Sequence, residues 1–203
     1  MLDLIDEQRR RTQRWELRTY VVMLVAWAVS WAVGFGALWS AETAGGNPWL
    51  RIPDAVSWVV FGVLIAAAIV VSIVAGIRAG TSTRGPSRLS GALYGWSWTI
   101  SMVGAWGLLT ALRRTGISEE AMSVLAPAMF ILLVGVLYLA GGALWRSPVQ
   151  YALGVVMIAT TVVASFVGTP THYLIYATVG PLAMLAVAVM MARGLLPSQG
   201  DSR

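Results

Sequence analysis

Residues 121–145 read AMSVLAPAMFILLVGVLYLAGGALW, a stretch without a single charged side chain. An α-helix rises about 1.5 Å per residue, so about 20 apolar residues cross a hydrocarbon layer of about 30 Å. A run of this length is longer than the buried helix of a small water-soluble domain needs. It predicts a helix surrounded by lipid.

Similar apolar stretches recur on both sides of this one. The predicted spans are residues 20–40, 55–78, 90–112, 121–145, 148–168 and 171–193. Lipid offers no hydrogen-bond partner to the backbone, so each stretch is expected to be helical. The predicted fold class is therefore all-α, a polytopic membrane protein whose six-transmembrane-helix bundle forms one domain over 1–203. Two tails, 1–19 and 194–203, flank the bundle.

The arginines indicate how the bundle is oriented. All fourteen basic residues are Arg, and eleven of them lie in the two tails and in the loops after the second and fourth spans. The loops on the opposite side carry three. Cytoplasmic loops retain positive charge, so both termini are predicted to be cytoplasmic.

Several classes of function are disfavoured by what the chain lacks. It has no Lys for a Schiff base and no Cys for a thiolate metal site or a disulfide. No Asp, Glu, Arg or His lies in the middle of a predicted span, whereas ion-coupled transport and acid–base catalysis draw on such groups. The prediction is a non-enzyme with no catalytic residue, cofactor or metal. The net charge of +5 is interpreted as a topology signal, without a nucleic-acid partner.

The ends of the spans carry recognisable signals. Ser118, Ser147 and Thr169 each precede a predicted helix start, where a side-chain oxygen accepts a backbone N–H. Across the short loop after the third span, Glu119 and Glu120 are expected to face Arg113 and Arg114.

Span one carries an aromatic ridge beside a ridge of small residues. The aromatic ridge recurs every four residues and consists of Trp27, Trp31, Phe35 and Trp39. The small ridge beside it consists of Ala28, Ala32 and Gly36, and a second small ridge consists of Ala26, Ser30 and Gly34. Such ridges would let a second helix approach closely. The aromatic ridge either packs against other helices and lipid or lines a cavity for an apolar or cationic ligand.

Span three is the least apolar of the six. Gly91 and Gly95 have the spacing of close helix contacts, and several Ser, Thr and Trp residues lie among them. We expect this helix to be buried among its neighbours.

Span six contains two further features of note. Pro181 removes a backbone hydrogen bond within the helix and is expected to bend it. His172, the only histidine, is predicted to be solvated at the outer edge of the span.

Two functions remain open. In the first, the bundle is a passive channel or permease for a neutral or apolar small solute. The candidate pathway or ligand contacts are Trp27, Trp31, Tyr94, Ser97, Ser101, Tyr138, Tyr176 and Pro181.

In the second and favoured reading, the chain is a non-catalytic membrane subunit, accessory or sensory, that acts through a membrane or cytoplasmic protein partner. The candidate contacts with a partner or with lipid are Arg9, Arg10, Arg11, Arg14, Arg84 and Arg88. A homo-oligomer is compatible with either reading.

Three segments carry a family resemblance: GPS at 85–87, YGWSW at 94–98 and LYLAGGALW at 137–145. With these segments the chain resembles a family of uncharacterised six-span membrane proteins from high-GC, actinobacterial-type bacteria. The resemblance runs through most of the chain and implies a multi-pass protein of the bacterial cytoplasmic membrane. It implies no activity and no binding residues.

Overall fold

The computed structural model describes residues 2–42, 51–82 and 86–195, and every regular element in these ranges is an α-helix. The helices are α1 Leu2–Glu42, α2 Asp54–Ser82, α3 Pro86–Arg113, α4 Glu119–Leu144, α5 Pro148–Val167 and α6 Thr171–Ala192. The all-α prediction is confirmed. Helix α1 begins well before the predicted first span, so residues 2–19 of the predicted tail are helical and continuous with it.

Two of the three expected serine and threonine caps are present. Ser118 Oγ accepts a hydrogen bond from Ala121 N at 3.1 Å at the start of α4. Ser147 Oγ accepts one from Gln150 N at 3.3 Å at the start of α5. Each cap satisfies a backbone N–H that has no partner within its helix.

The expected cap at Thr169 is wrong, because α6 begins one residue later than that cap requires. Its N-cap is Pro170, which makes no side-chain capping bond. Backbone carbonyls satisfy the first turn instead: His172 N donates to Gly168 O at 2.9 Å and Tyr173 N donates to Pro170 O at 3.2 Å.

Helices α1, α5 and α6 form the centre of the bundle. Helix α1 packs against α2 and α6, and α5 packs against α4 and α6, while α3 lies against α4 and touches α2 lightly. The largest buried side chains of the core come from α1, α5 and α6 and include Trp31, Phe35, Met157, Tyr176 and Met184. The core therefore lies on the side of the bundle away from α3.

The helices alternate in direction, so charged side chains collect at two ends. The acidic end, at the starts of α2, α4 and α6, carries the carboxylates of Glu42, Asp54, Glu119 and Glu120. The arginine end, at the opposite ends of the helices, carries Arg18, Arg78, Arg146 and Arg193. The expected pair between Arg113 and Glu119 is present at 3.1 Å, with both side chains exposed. An exposed pair of this kind contributes only about 0–1 kcal/mol.

The seam between α1 and α2 follows the predicted ridge of small residues. Ser30 Oγ donates to the carbonyl of Leu64 at 2.9 Å. A Cβ added at Gly34 would lie 2.9 Å from the ring of Phe61. Close approach of a second helix is thus confirmed for the ridge of Ala26, Ser30 and Gly34, whereas on the other predicted ridge a Cβ at Gly36 would meet nothing within 4 Å.

A closer seam, not predicted from the sequence, joins α4 to α5. A Cβ at Gly154 would lie 2.7 Å from the carbonyl oxygen of Gly135, and a Cβ at Gly142 would lie 2.6 Å from Tyr151 N. These neighbours are backbone atoms, which cannot move aside as a flexible side chain can. The seam therefore requires glycine on both helices.

The expectation that α3 is buried is wrong. Trp96, Ile100 and Trp106 are 64%, 67% and 65% exposed, and a Cβ at Gly91 or Gly95 would meet nothing within 4 Å. The hydroxyls of this helix need no neighbouring helix, because they bond to their own backbone. Two such bonds join Ser97 Oγ to Leu93 O at 2.9 Å and Thr110 Oγ1 to Trp106 O at 2.8 Å.

Five of the described helices are long and apolar enough to cross a membrane, namely α1 from Leu17 onward, α2 to Arg78, α4, α5 and α6. Helix α3 has the length but is less apolar than these five. By length and composition the bundle is suited to lipid.

Candidate interaction site

The eight predicted pathway residues fall into two sets. One set lies in the core between α1, α5 and α6, and the other lies where α3 meets α4 and α5. Within the described residues, no hydrogen bond or ring contact joins a member of one set to a member of the other.

In the first set, Trp31 and Tyr176 are buried in tight packing. The ring of Trp31 lies against Gly180, where a Cβ would come within 2.7 Å of it. Tyr176 is fully buried, and its hydroxyl lies 3.3 Å from Thr161 Oγ1. Pro181 is buried in the next turn of α6. The aromatic ridge of α1 thus serves packing at this level, and the side chains fill the space that a cavity would need.

Trp27 lies one turn away, on the seam with α2. Its indole Nε1 donates to Ser72 Oγ at 2.9 Å, and that hydroxyl donates to Ala68 O at 2.9 Å. This bond gives the indole N–H a partner inside the bundle and joins α1 to α2.

In the second set, Tyr94 is the central residue. Its hydroxyl donates to Leu137 O at 2.7 Å and accepts from Gln150 Nε2 at 3.3 Å, so it ties α3 to α4 and α5. Trp98 bridges the ring of Tyr94 to that of Tyr138, with centroid distances of 6.2 and 5.7 Å. These contacts hold one side of α3 against the bundle.

The remaining two pathway candidates stand apart from this cluster. Ser97 bonds to its own helix, as described above, and Ser101 is half-buried. Neither makes a hydrogen bond to another helix within the described residues. Arg84 lies outside the described residues, as do the side chains of Arg9, Arg10, Arg11, Arg14 and Arg88.

The prediction of a solvated His172 is wrong. The ring is 0% exposed, with Nδ1 3.2 Å from Gly168 O and Nε2 3.2 Å from Ser123 O. The first turns of α4 cover it, and Tyr173 stacks beside it with ring centroids 3.9 Å apart. A neutral imidazole donates through one nitrogen and an imidazolium through both, so at least one of these carbonyls accepts a bond.

The side of α3 that faces away from α4 is uncovered. Its side chains recur at helical spacing and are all exposed; this open face of α3 consists of Ala92, Trp96, Thr99, Val103, Trp106 and Gly107. Ala105 and Leu109, on the opposite side of the helix, are buried. The open face therefore combines indole rings, a hydroxyl and small residues on the least apolar helix of the bundle.

The helices and their composition place the chain among helical membrane proteins. Within the described residues, no three His, Asp or Glu side chains are grouped so that they could hold a metal ion. No family model matches the chain, and no curated protein or solved structure matches it. The resemblance to membrane proteins of high-GC bacteria stays a prediction.

Proposed function

We propose that the protein is a non-catalytic membrane subunit, accessory or sensory, that binds a partner membrane protein through the open face of α3. All six helices cross the bacterial cytoplasmic membrane in this proposal, with both termini in the cytoplasm. The arginine-rich first turns of α1 provide a second contact on the cytoplasmic side.

The exposure of α3 is the observation that carries this proposal. Lipid-facing positions on α2, such as Val59, Val63 and Val70, are aliphatic, as contact with hydrocarbon requires. The open face of α3 presents Thr99 as well as Val103 between Trp96 and Trp106, with Gly107 next to the second tryptophan. Small and hydroxyl-bearing residues are typical of helix–helix contacts in membranes, because they allow close backbone approach. A helix from another protein would fit this face better than lipid does.

The packing of the interior also supports a binding role over conduction. The core residues of α1, α5 and α6 pack together, and two grooves lie on the surface, one along α5 and one between α5 and α6. Passive conduction of a neutral solute stays the alternative prediction. It requires an open path through the bundle, whereas Trp31 and Tyr176 are buried in the core and Tyr138 packs against that core.

The orientation rests on the arginines. Among the residues with described side chains, the carboxylates of Glu42, Asp54, Glu119 and Glu120 all lie at the acidic end. The positive-inside rule counts basic residues rather than net charge, and eleven of the fourteen arginines belong to the arginine end or its tails. In this proposal the arginine end therefore faces the cytoplasm.

The proposal is tested by Gly107→Leu, which adds bulk at the C-terminal end of the open face. Gly62→Leu on α2 is the matched control, since a Cβ at either glycine would meet nothing within 4 Å and neither change is expected to disturb the fold. In mild detergent, the wild type and Gly62→Leu are expected to elute as a complex heavier than the 21.7 kDa chain, measured by light scattering. Gly107→Leu is expected to elute as the single chain.

Two results would contradict the proposal. A wild-type protein that elutes alone has no stable partner, and a Gly107→Leu complex of unchanged mass places the contact elsewhere. Co-expression of two differently tagged copies separates a second copy of this chain from a different protein as the partner.

A further inference from the structure

The turn between α4 and α5 has an unusual residue at its centre. Arg146 has φ 51°, and it is the only residue other than glycine with positive φ in the described part of the chain. Its N–H donates to Ala143 O at 3.4 Å, and Ser147 N donates to Gly142 O at 2.8 Å. This pair of bonds is the Schellman motif, which places a left-handed residue just after the helix.

Helix α6 ends in the same motif with the expected residue. There Gly194 has φ 67°, its N–H donates to Met191 O at 3.0 Å, and Leu195 N donates to Met190 O at 2.9 Å. Glycine adopts this conformation without steric cost, whereas a residue with a Cβ does not. The cap alone therefore does not explain an arginine at position 146.

An apolar groove begins at this turn. It measures about 660 Å³ and runs along the outer surface of α5, between Arg146 and Ser147 at one end and Ala152 and Val155 further along. A second groove of about 210 Å³ shares Ala152 with the first and continues between α5 and α6 toward Val187. Together they form a track, open to the surrounding lipid, that starts at a guanidinium.

Among the residues with described side chains, the charged groups at the start of this track are all arginines. Arg146 and Arg193 lie at the same end of the bundle, and Arg146 makes no salt bridge with another described residue. The turn lies between the C-terminus of α4, the negative pole of one helix dipole, and the N-terminus of α5, the positive pole of another. Every described carboxylate side chain lies at the acidic end, on the far side of the bundle.

We propose that this turn and its groove bind an anionic phospholipid. The Arg146 guanidinium holds the phosphate, for which its planar fork of N–H donors is suited. One acyl chain lies along α5 over Ala152 and Val155. The headgroup explains the charge at position 146, and the chain explains the apolar track that leads away from it.

The test compares lipid retention by Arg146→Gly and Arg114→Ala. Arg146→Gly removes the guanidinium and introduces the residue that the backbone favours, so it is expected to unfold at the same temperature as the wild type or higher. Arg114→Ala removes an exposed arginine at the acidic end. Each protein is incubated in detergent with equal amounts of phosphatidylglycerol and phosphatidylcholine, and the bound lipid is measured by native mass spectrometry.

The wild type and Arg114→Ala are expected to retain phosphatidylglycerol in preference to phosphatidylcholine. Arg146→Gly is expected to retain about fivefold less phosphatidylglycerol, as about 1 kcal/mol per arginine at an anionic surface implies. Ala152→Phe, which fills the groove and leaves the arginine in place, is expected to lower the retention of both lipids.

Either of two results would overturn this assignment. In one, Arg146→Gly retains as much phosphatidylglycerol as the wild type. In the other, Arg114→Ala loses as much as Arg146→Gly, which would mean that overall charge rather than this turn attracts the lipid.

Discussion

Several polar side chains inside the bundle form a hydrogen bond to a backbone carbonyl of another helix. Four such contacts join separate helices, from Ser30 to Leu64 O, Tyr94 to Leu137 O, Thr161 to Ala128 O and His172 to Ser123 O. Every residue has a carbonyl, so the sequence marks the donor and gives no sign of the acceptor. This is why the burial of His172 was not predicted and why the tyrosine candidates were found without their partners.

His172→Leu tests how much such a contact contributes. The change replaces the imidazole with an apolar side chain of similar size and leaves a buried carbonyl without its hydrogen-bond partner. A loss of about 1–3 kcal/mol in unfolding free energy is therefore expected. The measurement is denaturant unfolding in detergent. Thr178→Ala is the control on the same helix, because Thr178 is exposed and bonds only to its own helix, and its effect is expected to stay within about 0.5 kcal/mol. Equal effects of the two changes would contradict this account.

The sequence predicts those features of a helix that depend on residues a few positions apart. It predicts few of the contacts between helices. The caps at Ser118 and Ser147 depend on residues three positions away, so the sequence carries them. The seam between Gly135 and Gly154 depends on two helices meeting in register, which no local pattern records. The open face of α3 was misjudged for a related reason, since Ser and Thr suggest burial only when their hydroxyls lack a partner in their own helix.

Gly154→Ala tests the seam between α4 and α5. Its Cβ would meet backbone atoms at 2.7 and 2.8 Å, so the helices must separate, and an overpacking cost of about 1–3 kcal/mol is expected. Gly62→Ala is the matched control on α2, where the added Cβ meets nothing within 4 Å, and its stability is expected to equal or exceed that of the wild type. Thermal unfolding in detergent distinguishes the two. A Gly154→Ala protein as stable as the control would show that the seam tolerates a side chain.

The whole bundle separates its described carboxylates from one set of arginines, and this polarity follows from the alternating direction of the helices. The sequence predicts the arginine bias, because the sum of arginines over loops does not depend on how the helices pack, and the orientation derived from it stays a prediction. The arrangement of α1, α5 and α6 around a common core is a property of the folded chain and was not predicted.

The absence of cysteine in the chain makes this orientation directly measurable. Thr115→Cys, in the turn after α3, is expected to react with a membrane-impermeant maleimide in intact cells. Leu195→Cys, exposed just after α6, is expected to react only once the cells are permeabilised. The reverse labelling pattern would place the termini outside. Labelling of both residues in intact cells would contradict the proposal that three spans, α4, α5 and α6, separate them.

Helix α1 is longer than a membrane span requires. Its 41 residues form a rod of about 60 Å, while the hydrocarbon layer is about 30 Å thick. The candidate span covers Leu17–Glu42, so the part of the helix from Leu2 onward that precedes it is about 20 Å long. In the proposed topology this part extends from the span into the cytoplasm, and a force applied to it is transmitted through the continuous helix to the core.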